Sequence, residues 1–223
     1  MLGPLFKKRD KPLQPFKTSP GKLRSYQQCP LKYKKVQIEG QRIDTGPSPH
    51  LGFDGIVNRM VENLQKSLYR NRARLQSDPD YLTLLNQEFE KCWDPSKFID
   101  PEDLQEFEAA GREAVDNMAR WFRDRAGELV TYQNKPAVGM FAPWYPRPLT
   151  IWTRLDRVEE RDDGSLRIID FKSGAREITS PEMSTDLGIR LMAAAGREIF
   201  GNQATHIALV YLRTGNTVEI SLD

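Results

Sequence analysis

Asp156, Asp170 and Lys172 are the residues of this chain whose types and spacing could carry out hydrolytic chemistry. They interrupt two apolar, β-branched-rich runs in LDRVEERDDGSLRIIDFKSG, which flank Asp162-Asp163-Gly164. A turn signal between such runs predicts a β-hairpin. Strand side chains alternate, so Asp170 and Lys172 share one face and Phe171 takes the other. A three-residue loop with Gly164 at positive φ pairs Arg161 with Ser165. Counting back puts Val158 opposite Ile168, Glu159 opposite Arg167, Leu155 opposite Phe171 and Asp156 opposite Asp170. A two-residue loop would slip the register and send Asp156 to the far face. Carboxylates so opposed lie roughly 5 Å apart and repel. A hard divalent cation relieves the repulsion, because Mg²⁺ favours one or two carboxylates with water and phosphate oxygens. Lys172 could hold and polarise an attacking water, or neutralise charge on a pentacovalent phosphate. A solvent-facing hairpin with chance-aligned charges would show the same triplet.

The elements that must position these residues are read in chain order. Ser19-Pro20 signals a helix start, with a stop near Cys29-Pro30. Tyr26, Leu31 and Tyr33 are expected to pack this element on the core, with base stacking by the two tyrosines as the alternative. Lys22, Arg24, Lys32, Lys34 and Lys35 could line a nucleic-acid approach. After a polar loop from Gly40 to Pro49, a helix begins at Leu51. Phe53, Ile56, Val57, Met60, Val61, Leu64 and Leu68 recur there at helical spacing. Tyr81 to Lys91 reads as a shorter helix, and Pro101 to about Arg125 as a long one. Val130 to Ala142 is expected to supply the first strand. In the turn Trp144-Tyr145-Pro146-Arg147-Pro148, exposed rings could stack on single-stranded bases. After the hairpin come a helix over Thr185 to Phe200 and strands over Thr205 to Leu212 and Thr217 to Leu222. Arg190, Tyr211 and Arg213 are candidate phosphate-backbone contacts. His50 and His206 lack partners at ligand spacing and read as structural.

Composition narrows the classes. A chain of 223 residues can build one α/β domain with a sizeable core. Residues 1–18 read as a basic, disordered leader and 19–223 as a single domain, with a helical insertion at about 72–128. The net charge is only +2, yet Lys7 to Lys35 holds ten Lys or Arg against one acid. Such a stretch favours phosphate backbones without reading sequence. No apolar run approaches membrane length, the N-terminus is not a signal peptide, and two cysteines make no disulfide framework. A cytoplasmic location is expected. No Ser/His or Cys/His pair, phosphate-cradling loop or zinc spacing competes with the acidic pair.

The longer stretch TRLDRVEERDDGSLRIIDFKSG resembles the "G-R-I-D-R-V … I-V-D-Y-K-T-G" core of the PD-(D/E)XK nuclease superfamily, in its RecB-like and CRISPR-associated exonuclease branch. SYQQCPLKYK, Ser25 to Lys34, is similar to that branch's "S-x-x-x-C-P-x-K-Y" helix. IFGNQATHIALVYLRTGNTVEI is similar to its "YG … L-V-Y-L-R-T-G" strand. SPHLGFDGIVNRMVENL aligns without a gap on "S-P-A-L-x-F-G-x-x-H-x-x-L". These stretches cover most of the chain in the family's order.

The resemblance implies an α/β, restriction-endonuclease-like fold: a mixed central sheet flanked by helices, with a helical insertion. It implies a DNA nuclease using Mg²⁺ or Mn²⁺, held by Asp156, Asp170 and the Phe171 carbonyl, with Lys172 completing the catalytic set. DNA is the implied partner, single-stranded DNA included. A helicase or another repair or CRISPR partner would be a separate chain, since no motor is present. Three departures accompany this. The family's metal-binding histidine falls on Asn58, whose neutral amide oxygen is a weaker ligand for transition metals; Asp54 and Glu62, one turn away on either side, could add a carboxylate. A glutamine and a tyrosine near the family's active site fall on Gly188 and Met192. The extension carrying three further iron–sulfur cysteines is not found after Cys29, so no cluster is expected here. The departures motivate the alternative of a catalytically weakened, nuclease-like nucleic-acid-binding or scaffold protein.

Overall fold

The hairpin forms where a three-residue loop fits. Gly164 sits at φ +78°, a conformation glycine adopts without steric cost. Its N–H donates to the Arg161 carbonyl at 2.9 Å, and the Arg161 N–H donates to the Ser165 carbonyl at 2.9 Å. Strands β5 (Leu155–Glu160) and β6 (Leu166–Lys172) follow, with Val158 opposite Ile168 and Glu159 opposite Arg167. This is the register expected from the turn as far as Arg157 opposite Ile169; the expected rungs Asp156–Asp170 and Leu155–Phe171 are not part of the ladder. The structure is a computed structural model describing residues 16–41, 48–70, 80–125, 128–134, 137–140 and 149–222.

The hairpin lies in the middle of a five-stranded sheet of order β2-β5-β6-β7-β8, completed by β2 (Glu128–Asn134), β7 (Ala204–Tyr211) and β8 (Thr217–Ser221). Strands β6 and β7 pair in parallel and the other neighbours antiparallel, so the sheet is mixed. A parallel pair needs a long crossover. Here α6 (Ser180–Thr185) and α7 (Leu187–Phe200) supply it. The sequence suggested one helix starting at Thr185; α7 begins two residues later, and α6 before it was not expected. The break comes at Asp186, which is extended and caps α7 by accepting the Ile189 N–H at 3.1 Å.

Helices cover both faces. On one, α3 (Pro49–Arg70), α4 (Tyr81–Cys92) and α5 (Pro101–Asp124) bury Met60, Leu64, Phe89, Phe107 and Met118 against Ile169, Phe171, Ala208 and Val210. On the other, Met183, Ile189 and Met192 pack on Val158, Ile168, Ile207 and Leu209. The helical stripes are those the 3.6-residue period marks. Among the described residues no helix is long and apolar enough to cross a membrane.

A second sheet, of order β1-β4-β3, was not expected. It joins β1 (Phe16–Thr18), β4 (Leu149–Trp152) and β3 (Ala137–Met140). The single strand expected over Val130 to Ala142 is thus two strands in different sheets. Phe16–Thr18, read as the end of a leader, pairs in parallel with Leu149–Ile151. In α1 (Pro20–Gln28) and α2 (Pro30–Tyr33) only Tyr33 is buried, whereas Tyr26 and Leu31 are 53% and 61% exposed. The expected packing of these two on the core does not occur, because α1 lies on the rim of the molecule beside α7. The turn from Trp144 to Pro148 lies outside the described residues.

Candidate active site

The ladder between β5 and β6 stops at Arg157 and Ile169. Beyond that rung side chains take over the hydrogen bonding. Gln65 Nε2, from α3, donates to the Asp156 carbonyl at 3.3 Å. The Phe171 N–H donates to Asp156 Oδ2 at 3.2 Å. Asp156 is thereby fixed, 2% exposed, with Asp170 facing it across the strands. Lys172 Nζ ion-pairs with Asp170 Oδ2. Arg154 Nε lies 2.7 Å from Asp156 Oδ1, and its Nη2 donates to Asn58 Oδ1 at 3.5 Å.

Burial and the neighbouring Asp170 charge push the Asp156 carboxyl up to about 7, against the pull of Arg154 and the Phe171 N–H. Burial works to lower Lys172, but the Asp170 carboxylate outweighs it and holds the ammonium above its ordinary pKa. Lys172 is therefore a cation and hydrogen-bond donor at neutral pH, not a proton acceptor. Asp156 Oδ1 and Asp170 Oδ2 are buried and accept no well-directed hydrogen bond, although a cationic nitrogen stands beside each.

Asp170 and Lys172 open onto a cleft of about 350 Å³. Gly188 and Met192 of α7 form one wall and Arg24 of α1 another, with Arg176 at the mouth. Arg24 Nη2 donates to both carboxylate oxygens of Asp186 at 3.0 Å. A Cβ at position 188 would come within 2.9 Å of that nitrogen and 3.0 Å of Asp186 Oδ1. The pair and a side chain at 188 compete for one space.

A sequence profile of the PD-(D/E)XK nuclease superfamily matches residues 17–220. The chain belongs to the PD-(D/E)XK nuclease superfamily. Its mixed sheet flanked by helices is the restriction-endonuclease-like fold that the sequence resemblance implied. No curated protein matches the chain.

In this PD-(D/E)XK protein the structure gathers Asp156, Asp170 and Lys172 on one side of the sheet, with Asn58 reached through Arg154. Asp54 accepts a hydrogen bond from the Ser173 hydroxyl, and Glu62 is exposed. Arg24 reaches the cleft. Lys22, Lys32 and Lys34 are exposed on α1, α2 and the π-helical turn Lys34–Ile38, and Lys34 pairs with Glu39 at 3.6 Å. Arg190 is exposed and does not line the cleft, because two helical steps separate it from the face holding Gly188 and Met192. Arg213 turns to Glu106 at 3.5 Å. His50 packs edge-on to Phe107, and His206 Nδ1 lies 2.7 Å from the Thr205 hydroxyl.

Sequence reasoning assigned no role to Arg154, Arg176 or Asp186. Arg154 stands inside the hairpin motif, two residues before the first acid, so strand alternation was the available signal. Arg176 and Asp186 follow the second strand in a segment without periodicity.

The donor set fits a hard divalent cation. Two converging carboxylates with buried, poorly satisfied oxygens, and an amide oxygen nearby, are the ligands Mg²⁺ or Mn²⁺ takes. Among the described residues no cluster of three or more His, Cys, Asp or Glu side chains converges. Solvent and phosphate oxygens would fill the remaining positions.

Proposed function

We propose that this PD-(D/E)XK protein is a divalent-metal-dependent nuclease that hydrolyses DNA phosphodiester bonds, in the RecB-like branch of its superfamily. The observation carrying this reading is the opposed Asp156–Asp170 pair beside a protonated Lys172, with Asp170 and Lys172 lining a cleft flanked by Arg24 and Arg176. Asp156 and Asp170 would hold Mg²⁺ or Mn²⁺, with the Phe171 carbonyl and Asn58 as further oxygen donors. When bound, the ion supplies positive charge against the scissile phosphate and lowers the pKa of a coordinated water. Lys172 donates hydrogen bonds, orienting the attacking water and stabilising charge that develops on the phosphate oxygens. Arg24 and Arg176 attract the phosphate backbone, and the basic α1–α2 surface extends that attraction. A DNA strand, single strands included, and a separately encoded helicase or repair partner are the expected associates.

The second reading is a nucleic-acid-binding protein of nuclease descent without turnover. Arg154, already paired with Asp156 and touching Asn58, favours it. A cleavage assay on single- and double-stranded DNA and on RNA, with Mg²⁺ and with Mn²⁺, separates the two. The wild type is expected to cut, and Asp170→Ala and Lys172→Ala each to lose about 10³-fold in rate. Cutting that persists in both variants rejects the site. An inert wild type that still binds DNA establishes the second reading.

A further inference from the structure

Asp156 has one oxygen to offer a metal ion. Its Oδ2 is committed to the Phe171 N–H at 3.2 Å. The remaining oxygen, Oδ1, is the one at 2.7 Å from Arg154 Nε. The same guanidinium donates to Asn58 Oδ1 at 3.5 Å, so a single side chain covers two of the candidate ligand oxygens. The two partners differ in freedom. The Asp156 side chain is 3% exposed and held from both sides, whereas the Arg154 side chain is 42% exposed. Arg154 precedes β5 and can swing into solvent without disturbing a strand pair. Lys172 stands in the same relation to Asp170, but it also faces the cleft where the substrate phosphate would lie.

We propose that Arg154 is a tethered counter-ion that competes with the divalent cation for Asp156 and thereby sets how tightly this site takes metal. This rests on the nuclease reading of the acidic pair. With Arg154 docked, the buried acid is neutralised and the metal position is closed. A divalent ion, bringing twice the charge, displaces the guanidinium to the rim, where it faces the phosphate backbone. Metal entry and the release of an arginine toward substrate are then one event, and DNA that engages the freed guanidinium tightens metal binding.

The test is Mn²⁺ binding, read from the loss of the free-ion electron paramagnetic resonance signal at pH 8.5, with no turnover measured. Removing the competing charge by Arg154→Gln is expected to tighten Mn²⁺ by about tenfold, the size of one charge-assisted contact. Arg154→Lys, which keeps a cation, should stay close to wild type. Thermal melts of both variants in chelator control for folding. Arg154→Gln binding Mn²⁺ equally or more weakly than wild type overturns the proposal. If Asp170→Asn still abolishes binding in that case, the acidic pair survives as the metal site and only the competition is lost. No Mn²⁺ bound by any form would overturn both.

Discussion

At the turn end of the hairpin Glu159 is fully buried between two arginines; at the open end Asp156 is almost as deeply buried beside a second acid. These residues sit three positions apart on one strand and face opposite sides of the sheet. Glu159 accepts from Arg157 Nε at 2.8 Å and from Arg167 Nε at 2.7 Å. Arg167 continues to Glu219 at 3.0 Å and to the Arg125 carbonyl at 2.9 Å, and Arg161 meets Glu219 at 3.2 Å. The Arg157 guanidinium lies over the Trp121 and Phe122 rings. Signs alternate throughout, so each glutamate lies between two arginines. The acidic pair is like-charged and leaves oxygens without directed donors. The first arrangement joins unlike charges only, whereas the second sets two acids against each other, each with one cation at its side. Local violations of packing rules mark functional positions.

The contrast predicts opposite responses to removing one acid. Glu159→Leu removes the buried carboxylate that Arg157 and Arg167 share and should cost about 3–5 kcal/mol in urea unfolding. A loss below about 1 kcal/mol would mean that the cluster is far better solvated than its burial indicates.

Asp156→Asn should do the reverse. Because the folded-state pKa of Asp156 is raised to about 7, its contribution to stability is fully present below the ordinary carboxylate pKa and is lost as pH rises through about 7. In chelator, wild-type stability is expected to fall by on the order of 2 kcal/mol between pH 5 and pH 8. Asp156→Asn carries no charge to bury, so its profile should be flatter, and at pH 8 it should be the more stable protein. Melts of both proteins across that range decide the matter; parallel profiles would refute the rise that burial and the Asp170 charge impose on Asp156.

The smallest effect is expected at the cleft wall. Gly188→Ala pushes Arg24 and Asp186 apart; Asp186 is held by its cap on α7, so the exposed Arg24 side chain is the one that gives way. Stability should change by less than about 1 kcal/mol, since the better helix propensity of alanine offsets the lost ion pair. DNA affinity measured without turnover should fall a few-fold as Arg24 leaves its place. Unchanged affinity would remove Arg24 from the binding surface.

What the sequence revealed follows from range. The register of β5 and β6 is set by Asp162, Asp163 and Gly164 between them, so the meeting of Asp156 with Asp170 could be counted from the turn. The stripes of α3 and α5 were legible because a helix writes its buried face into its own period. Pairing of Phe16–Thr18 with Leu149–Ile151 leaves no local trace, since three-residue strands carry no periodicity. Helix α6 was missed for a related reason: six residues are too few to show a helical period. Arg154 was hidden differently. A cation near a strand start is ordinary, and only coordinates show that it covers the oxygen the neighbouring acid has left.

The cleft is assembled from unequal parts. The residues from Arg154 to Ser173, which hold the acidic pair, form one uninterrupted stretch, whereas Arg24 and Asp186, which meet at the wall, stand 162 positions apart. The acidic pair is thus placed mainly by its own turn, with Gln65 of α3 bracing the Asp156 carbonyl, and the cleft wall is contributed by remote segments. A change in α1 or α7 would therefore alter the cleft wall without touching the turn that places the acidic pair.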